Sequence, residues 1–269
     1  MTYTPPRPRR VVQISDCHLF AGTDGRLLGL NTEDSLQRVL EKVTAEQQQG
    51  IDVILATGDL SQDGTPAAYQ RFHQHLQRFD APSYWLQGNH DITSPMLATL
   101  GGKSHLSPCV IEQGGWRIIM LNSSVEHQVP GYFQPSELDF LRQALQQTEG
   151  HHTLVCLHHH PVPMGCAWLD TQVVRNAEAF WAIIDQFKHV RAIAWGHVHQ
   201  ESDQERKGVR LLSVPSTCVQ FKPLSDDFAV DDLAPGYRWF DLYDDGRIET
   251  QVSRVEGVKF EVDFSVKGY

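Results

Sequence analysis

Residues able to bind metals recur at five places in this chain. They are Asp16 and His18 in D-C-H, Asp59 in G-D, Asn89-His90-Asp91 in G-N-H-D, His159 in H-H-H-P, and His197 and His199 in G-H-V-H. Asp16, His18, Asp59, Asn89, His159, His197 and His199 are all N or O donors, too many for one tetrahedral zinc and suited to two octahedral-type ions. Two cations ~3.5–4 Å apart can activate a shared water at neutral pH and clamp the oxygens of a phosphate ester. The residues point to a binuclear metal hydrolase that needs no Ser or Cys nucleophile.

Such donors work only if the fold delivers them to one place. Each follows an apolar run with the look of a buried strand: Val11–Ser15, Ile51–Thr57, Ser83–Gln87, Thr153–Leu157 and Arg191–Trp195. Strand ends of an α/β sheet gather along one edge, where ligands bind. Gly58, Gly88 and Gly196 fit sharp exits from those strands. Helices are expected between them. Leu36, Val39, Leu40 and Val43 form a stripe at helical spacing after Asn31-Thr32. Thr65-Pro66 and Pro135-Ser136 open two more, and Phe180, Trp181, Ile184 and Phe187 mark another after Asn176. Strand and helix alternate to residue 199, which predicts an α/β layered fold. Beyond it, Val209–Val214, Ser216–Phe221, Tyr237–Tyr243 and Ile248–Val252 read as strands. Asp244-Asp245-Gly246 turns the last two into a hairpin. Because the donors span 16–199 and must converge, one domain over 1–269 is expected, with the mostly β stretch 209–252 as a second sheet. Residues 1–10 are expected to be a flexible, solubilising tail, and 225–235 a poorly ordered loop.

The formal net charge is −10 and the pI about 5.7. Such a surface repels nucleic acid and anionic membranes, so neither is an expected partner. The chain has no long apolar run and no signal-peptide core at its start. Cys17, Cys109, Cys156, Cys166 and Cys218 are odd in number and form no C-x-x-C. They are expected to be free thiols in a reducing cytoplasm, with Cys17 a small core filler.

Taken singly, the motifs are weak. A D-x-H is usually a cap beside a surface histidine, and G-D is ordinary turn chemistry. Their order, each behind a strand, is what excludes coincidence. In H-H-H-P, alternation along a strand forbids three ligands to one centre. The run should divide into one ligand, one orienting or substrate-facing residue and one packed bystander. His73, His75, His105, His127, His151, His152 and His189 stand outside any motif and are assigned no role.

The ordered set D-x-H, G-D, G-N-H-D, H-x-P and G-H-x-H resembles that of the calcineurin-like metallophosphoesterases. H-H-H-P-V-P-M-G-C-A-W-L-D (158–170), V-V-R-N-A, P-S-T-C-V-Q-F (215–221) and the terminal hairpin (235–250) are similar to the bacterial class III 3′,5′-cyclic AMP phosphodiesterases. The resemblance implies a four-layer α-β-β-α sandwich with the metals at the C-terminal strand ends. It implies Asp16, His18 and His199 on one metal, Asn89, His159 and His197 on the other, and Asp59 on both. His159 is selected because the ligand of H-x-P lies two residues before the proline. His90 would be the catalytic acid, with Asp91 orienting it, and His18, Asp59, Asn89, His90 and His199 would face the substrate. The cofactors implied are Fe with Mn or a second Fe, with Zn or Co as other choices. The activity implied is hydrolysis of 3′,5′-cyclic AMP to 5′-AMP in the cytoplasm by in-line attack of a metal-activated hydroxide, lowering cyclic nucleotide signalling. The chain would act as a monomer or homodimer. The alternatives are a broader phosphodiesterase acting on glycerophosphodiesters, 2′,3′-cyclic nucleotides or aryl esters, and a non-catalytic scaffold, which the intact donor set disfavours.

Overall fold

The structure, a computed structural model, describes residues 7–268 apart from 101, 103, 104 and 149. The chain begins with β1 (Arg9–Ile14), a small hairpin of β2 (Arg26–Leu27) and β3 (Leu30–Asn31), α1 (Thr32–Glu46), β4 (Val53–Thr57), α2 (Pro66–Leu76), β5 (Ser83–Leu86) and α3 (Thr93–Leu100). Then come β6 (Cys109–Gln113), β7 (Trp116–Met120), α4 (Pro135–Gln146), β8 (His152–Leu157), the single turn α5 (Ala167–Asp170), α6 (Ala177–Ile184) and β9 (Val190–Trp195). It closes with β10 (Ser202–Arg206), β11 (Val209–Ser213), a short ladder of β12 (Gln220–Phe221) with β13 (Val230–Asp231), β14 (Gly236–Leu242) and β15 (Ile248–Arg254).

Two sheets result. One has the order β15-β14-β1-β4-β5, the other β10-β11-β9-β8-β7-β6. Val11, Val53, Leu55 and Phe240 of the first meet Ile118, Leu154, Cys156 and Ala194 of the second in a shared core. The outer face of the first sheet is covered by α1 and α2 through Leu36, Val39, Leu40, Val43, Tyr69 and Phe72. The outer face of the second is covered by α4 and α6 through Leu141, Leu145, Phe180 and Ile184. The layers are therefore α-β-β-α. Helix α1 forms because its apolar stripe faces the sheet and the Asn31 side chain caps it, accepting from Asp34 N at 2.8 Å. Each fully buried Leu or Val of that stripe contributes roughly 1.5–3 kcal/mol.

Three expectations change. The stretch 209–252 is not a sheet of its own: β11 pairs parallel with β9, while β14 lies antiparallel to β1 in the other sheet. A lone β tail would leave two faces to bury, whereas adding strands to existing sheets buries both. The tail over 1–10 is also shorter than its composition suggested. Residues 1–6 lie outside the described residues, but Arg9 and Arg10 belong to β1, Arg7 grips Asp52 at 2.8 and 2.9 Å, and Arg10 grips Asp241 with two bonds of 2.7 Å. Val230 and Asp231, expected in a loose loop, pair with Phe221 and Gln220.

Candidate metal centre

The site lies where the two sheets' strand ends meet. Asp16 follows β1, Asp59 follows β4 and Asn89 follows β5, all in the first sheet, while His158 and His197 follow β8 and β9 in the second. Polar bonds tie the halves together beneath the site. Buried Gln13 donates to the Trp195 carbonyl at 3.4 Å, and His158 Nδ1 donates to the Thr57 carbonyl at 2.8 Å. The His197 amide donates to Asp16 Oδ1 at 3.0 Å.

The backbone here is bent to fit. Asp16, His18, Asp59, His197 and His199 have φ of 55°, 47°, 50°, 67° and 47°, a left-handed region that costs a non-glycine residue of order 1–3 kcal/mol. These residues are nearly fully buried as well. Strain and buried polarity at the same positions mark a site kept for function. Gly58 sits at φ +92°, and any β-carbon there would collide with the His158 ring and the Gly88 backbone. At Gly88 a β-carbon would strike the Asp59 carboxylate.

Donor atoms of Asp16, His18 and His199 lie within 4.8 Å of one another, as do those of Asp16, Asp59 and His158, and of His18, Asp59 and His90. Asp16, His18 and Asp59 each belong to two of these groups. Asp59 Oδ2 is 3.9 Å from His18 Nε2 and 3.3 Å from His158 Nε2, and its Oδ1 accepts the His90 amide at 2.9 Å. Second partners set the tautomers. His18 Nδ1 is 2.6 Å from Gln62 Oε1, and His199 Nδ1 is 2.8 Å from the Val219 carbonyl. Both Nδ1 atoms must donate there, which leaves two Nε2 lone pairs facing each other at 3.2 Å. Two lone pairs so placed repel unless something positive sits between them.

The electrostatics agree. Burial pushes His18 down to about 3 and His197 well below its ordinary value, so both are neutral ligands in waiting. Asp59 is held well below the carboxylate range, burial opposing but the facing histidines prevailing. His158 is opposed by burial yet raised to about 9 by Asp59. Asn89 Oδ1 and His197 Nε2 are buried with no hydrogen-bond partner. Such orphaned acceptors among clustered donors fit a pair of cations, and the all-N/O donor set fits Fe, Mn, Zn or Co.

The three histidines of the run, which follow the end of β8 at Leu157, do different things. His159 has a donor atom within 4.8 Å of those of His158 and His197, with Nδ1 2.9 Å from Ser123 Oγ and Nε2 2.9 Å from the Val129 carbonyl. His158 donates from Nδ1 to the Thr57 carbonyl at 2.8 Å, and its Nε2 faces Asp59 Oδ2 at 3.3 Å. His160 is the packed member, stacked on His197 at 5.7 Å.

Asp91 is held by the turns around it. Its carboxylate accepts from Leu60 N (3.1 Å), Ser61 N (3.1 Å), Gly88 N (2.9 Å) and the Tyr69 hydroxyl (3.1 Å). It braces the turns that carry Asp59 and Asn89. Burial, with Asp59 nearby, raises it to about 6. The histidines assigned no role stay outside every cluster of donors among the described residues.

A two-sheet sandwich whose strand ends carry a dinuclear donor set is a phosphoesterase architecture. The family model described as calcineurin-like phosphoesterase matches residues 9–201, and the chain belongs to that family. Its relatives narrow the class. A Pseudomonas aeruginosa protein named 3′,5′-cyclic adenosine monophosphate phosphodiesterase CpdA is 48% identical over 259 residues, covering 96% of this chain and 94% of the relative. The Escherichia coli K12 protein of the same name is 42% identical over 262 residues, covering 97% and 94%. Among solved structures, a dimetal phosphatase from Danio rerio matches with TM-score 0.61 and 16% identity over 93% of this chain and 100% of that one. A purple acid phosphatase from yellow lupin matches with TM-score 0.66 and 13% identity over 94% and 52%. The last two share the fold alone.

Proposed function

We propose that this chain hydrolyses 3′,5′-cyclic AMP to 5′-AMP at a dinuclear metal centre. One observation carries the chemistry: Asp59 belongs to two clusters, with His18 and His90 and with Asp16 and His158, whose donor atoms lie within 4.8 Å of one another. The choice of diester rests on the near full-length similarity to proteins named for that substrate.

Asp16, His18 and His199 would hold one ion, Asn89, His159 and His197 the other, and Asp59 both, with His158 steadying the Asp59 carboxylate. When bound, two such ions neutralise the anionic diester and make water nucleophilic at neutral pH. Fe with Mn, or two Fe, is the preferred pair. The protein's own groups do the rest. The inward donors His18, Asp59, Asn89 and His199 line the floor on which the phosphate rests. The His90 amide bond to Asp59 Oδ1 fixes the shared carboxylate, and the His90 ring, 5.1 Å from that of His18, faces the same space. There it gives a proton to the leaving 3′-oxygen, while Asp91 keeps the two turns in register. No helix among the described residues is long and apolar enough to cross a membrane. We place the activity in the cytoplasm, with a small nucleotide rather than nucleic acid or membrane as partner, in a monomeric or homodimeric chain of one domain.

Product analysis on metal-assayed protein tests the reading. Cyclic AMP should give 5′-AMP, and chelation should abolish turnover. A glycerophosphodiester or 2′,3′-cyclic nucleotide hydrolysed more efficiently than cyclic AMP would overturn the substrate assignment in favour of the broader one.

His90→Ala should keep both metals yet lose roughly 10²–10³-fold in turnover of cyclic AMP, the share of a general acid. A nitrophenyl phosphodiester, whose leaving group needs no proton, should lose much less. Equal losses on both substrates would remove the acid role.

A further inference from the structure

The segment P-S-T-C-V-Q-F has no part in the chemistry above, yet it wraps the first metal's ligands. Ser216 Oγ donates to the Asp16 carbonyl at 2.7 Å, and Thr217 N donates to the Ser15 carbonyl at 3.1 Å. Val219 accepts from His199 Nδ1, and Phe221 N donates to the His199 carbonyl at 3.3 Å. The Phe221 ring lies on the His199 imidazole, centroids 4.2 Å apart and planes 4° from parallel. Trp168 and Phe228 back it edge-on at 5.1 and 5.6 Å.

We infer that Phe221 is a positioning residue that raises the affinity of the Asp16, His18 and His199 site for its metal by stacking on His199. Neutral aromatic rings prefer edge or offset contact. A near-parallel stack gains when one ring is electron-poor, and imidazole becomes so as its Nε2 lone pair goes to a cation above an electron-rich phenyl face. The contact is thus stronger in the loaded protein than in the free one, which is the condition for tuning affinity. It also holds the ring in the plane that Val219 sets. The partners behind a ligand commonly change metal affinity 10–100-fold.

This inference rests on the two-metal reading, and calorimetric titration of metal-stripped full-length chain with Mn²⁺ separates the two. His199→Ala identifies which binding step belongs to the first site. Phe221→Leu removes the ring face, and Phe221→pentafluorophenylalanine keeps its shape while reversing its charge distribution. Both should weaken the first step about 10-fold and leave the second unchanged, with the melting temperature of the metal-free fluorinated chain equal to wild type. Wild type taking two ions and a fluorinated variant titrating identically would overturn the inference alone, showing that the ring only fills space. A wild-type chain that takes up one ion or none would overturn the two-metal reading and this inference with it.

Discussion

Asp59→Ala is expected to lower cyclic AMP hydrolysis by about 10⁴-fold, ~5.5 kcal/mol of transition-state stabilisation, and to leave protein poor in both metals. Asp59 Oδ2 stands between His18 Nε2 and His158 Nε2, so its loss opens both halves of the site at once. His73→Ala, outside every donor cluster, should stay within about 2-fold of wild type and serves as the control. Elemental analysis decides the matter: wild type should carry two ions per chain at saturation. A fully active wild type carrying one would sink the binuclear arrangement.

The second large effect falls on His159. His159→Ala should lose one metal and about 10³-fold in activity, ~4 kcal/mol. His158→Ala should keep both ions and lose about 10-fold or less, by loosening the Asp59 carboxylate that its Nε2 faces at 3.3 Å. Removing His158 also strips Asp59 of a buried partner, so the variant's melting temperature should fall in the metal-free state. Metal loss following His158 or His160 instead would overturn the H-x-P register.

Much of this site was legible in the residues because the candidate ligands sit two to four positions past each strand, and strands announce themselves by apolar runs. The Gly58, Gly88 and Gly196 exits and the α1 stripe were equally local signals. What was lost needed tertiary knowledge. Asp91 adjoins His90 in the chain, yet it spends its carboxylate on amides of another loop, which no spacing rule reveals. The hairpin of β6 and β7 went unassigned because Cys109–Gln113 is a half-exposed edge strand with little pattern. Which sheet β14 would join depends on its pairing with β1 across more than two hundred residues, from Arg9 to Leu242, and periodicity carries no such information.

The pairing of β1 with β14 joins Arg9 to Leu242 and Gln13 to Arg238. On its other side β1 pairs with β4, which follows closely in the chain. During synthesis, then, the strand that presents Asp16 has one neighbour early and waits for the other until residues 236–242 have emerged. Until β14 arrives, β1 is an open edge of Val and Ile residues, the kind of surface on which nascent chains mispair. The ligand segments all lie upstream of β14, so a ribosome-bound chain can hold every donor and still lack the sheet that aims them. Catalytic competence in this architecture is a property of the finished chain.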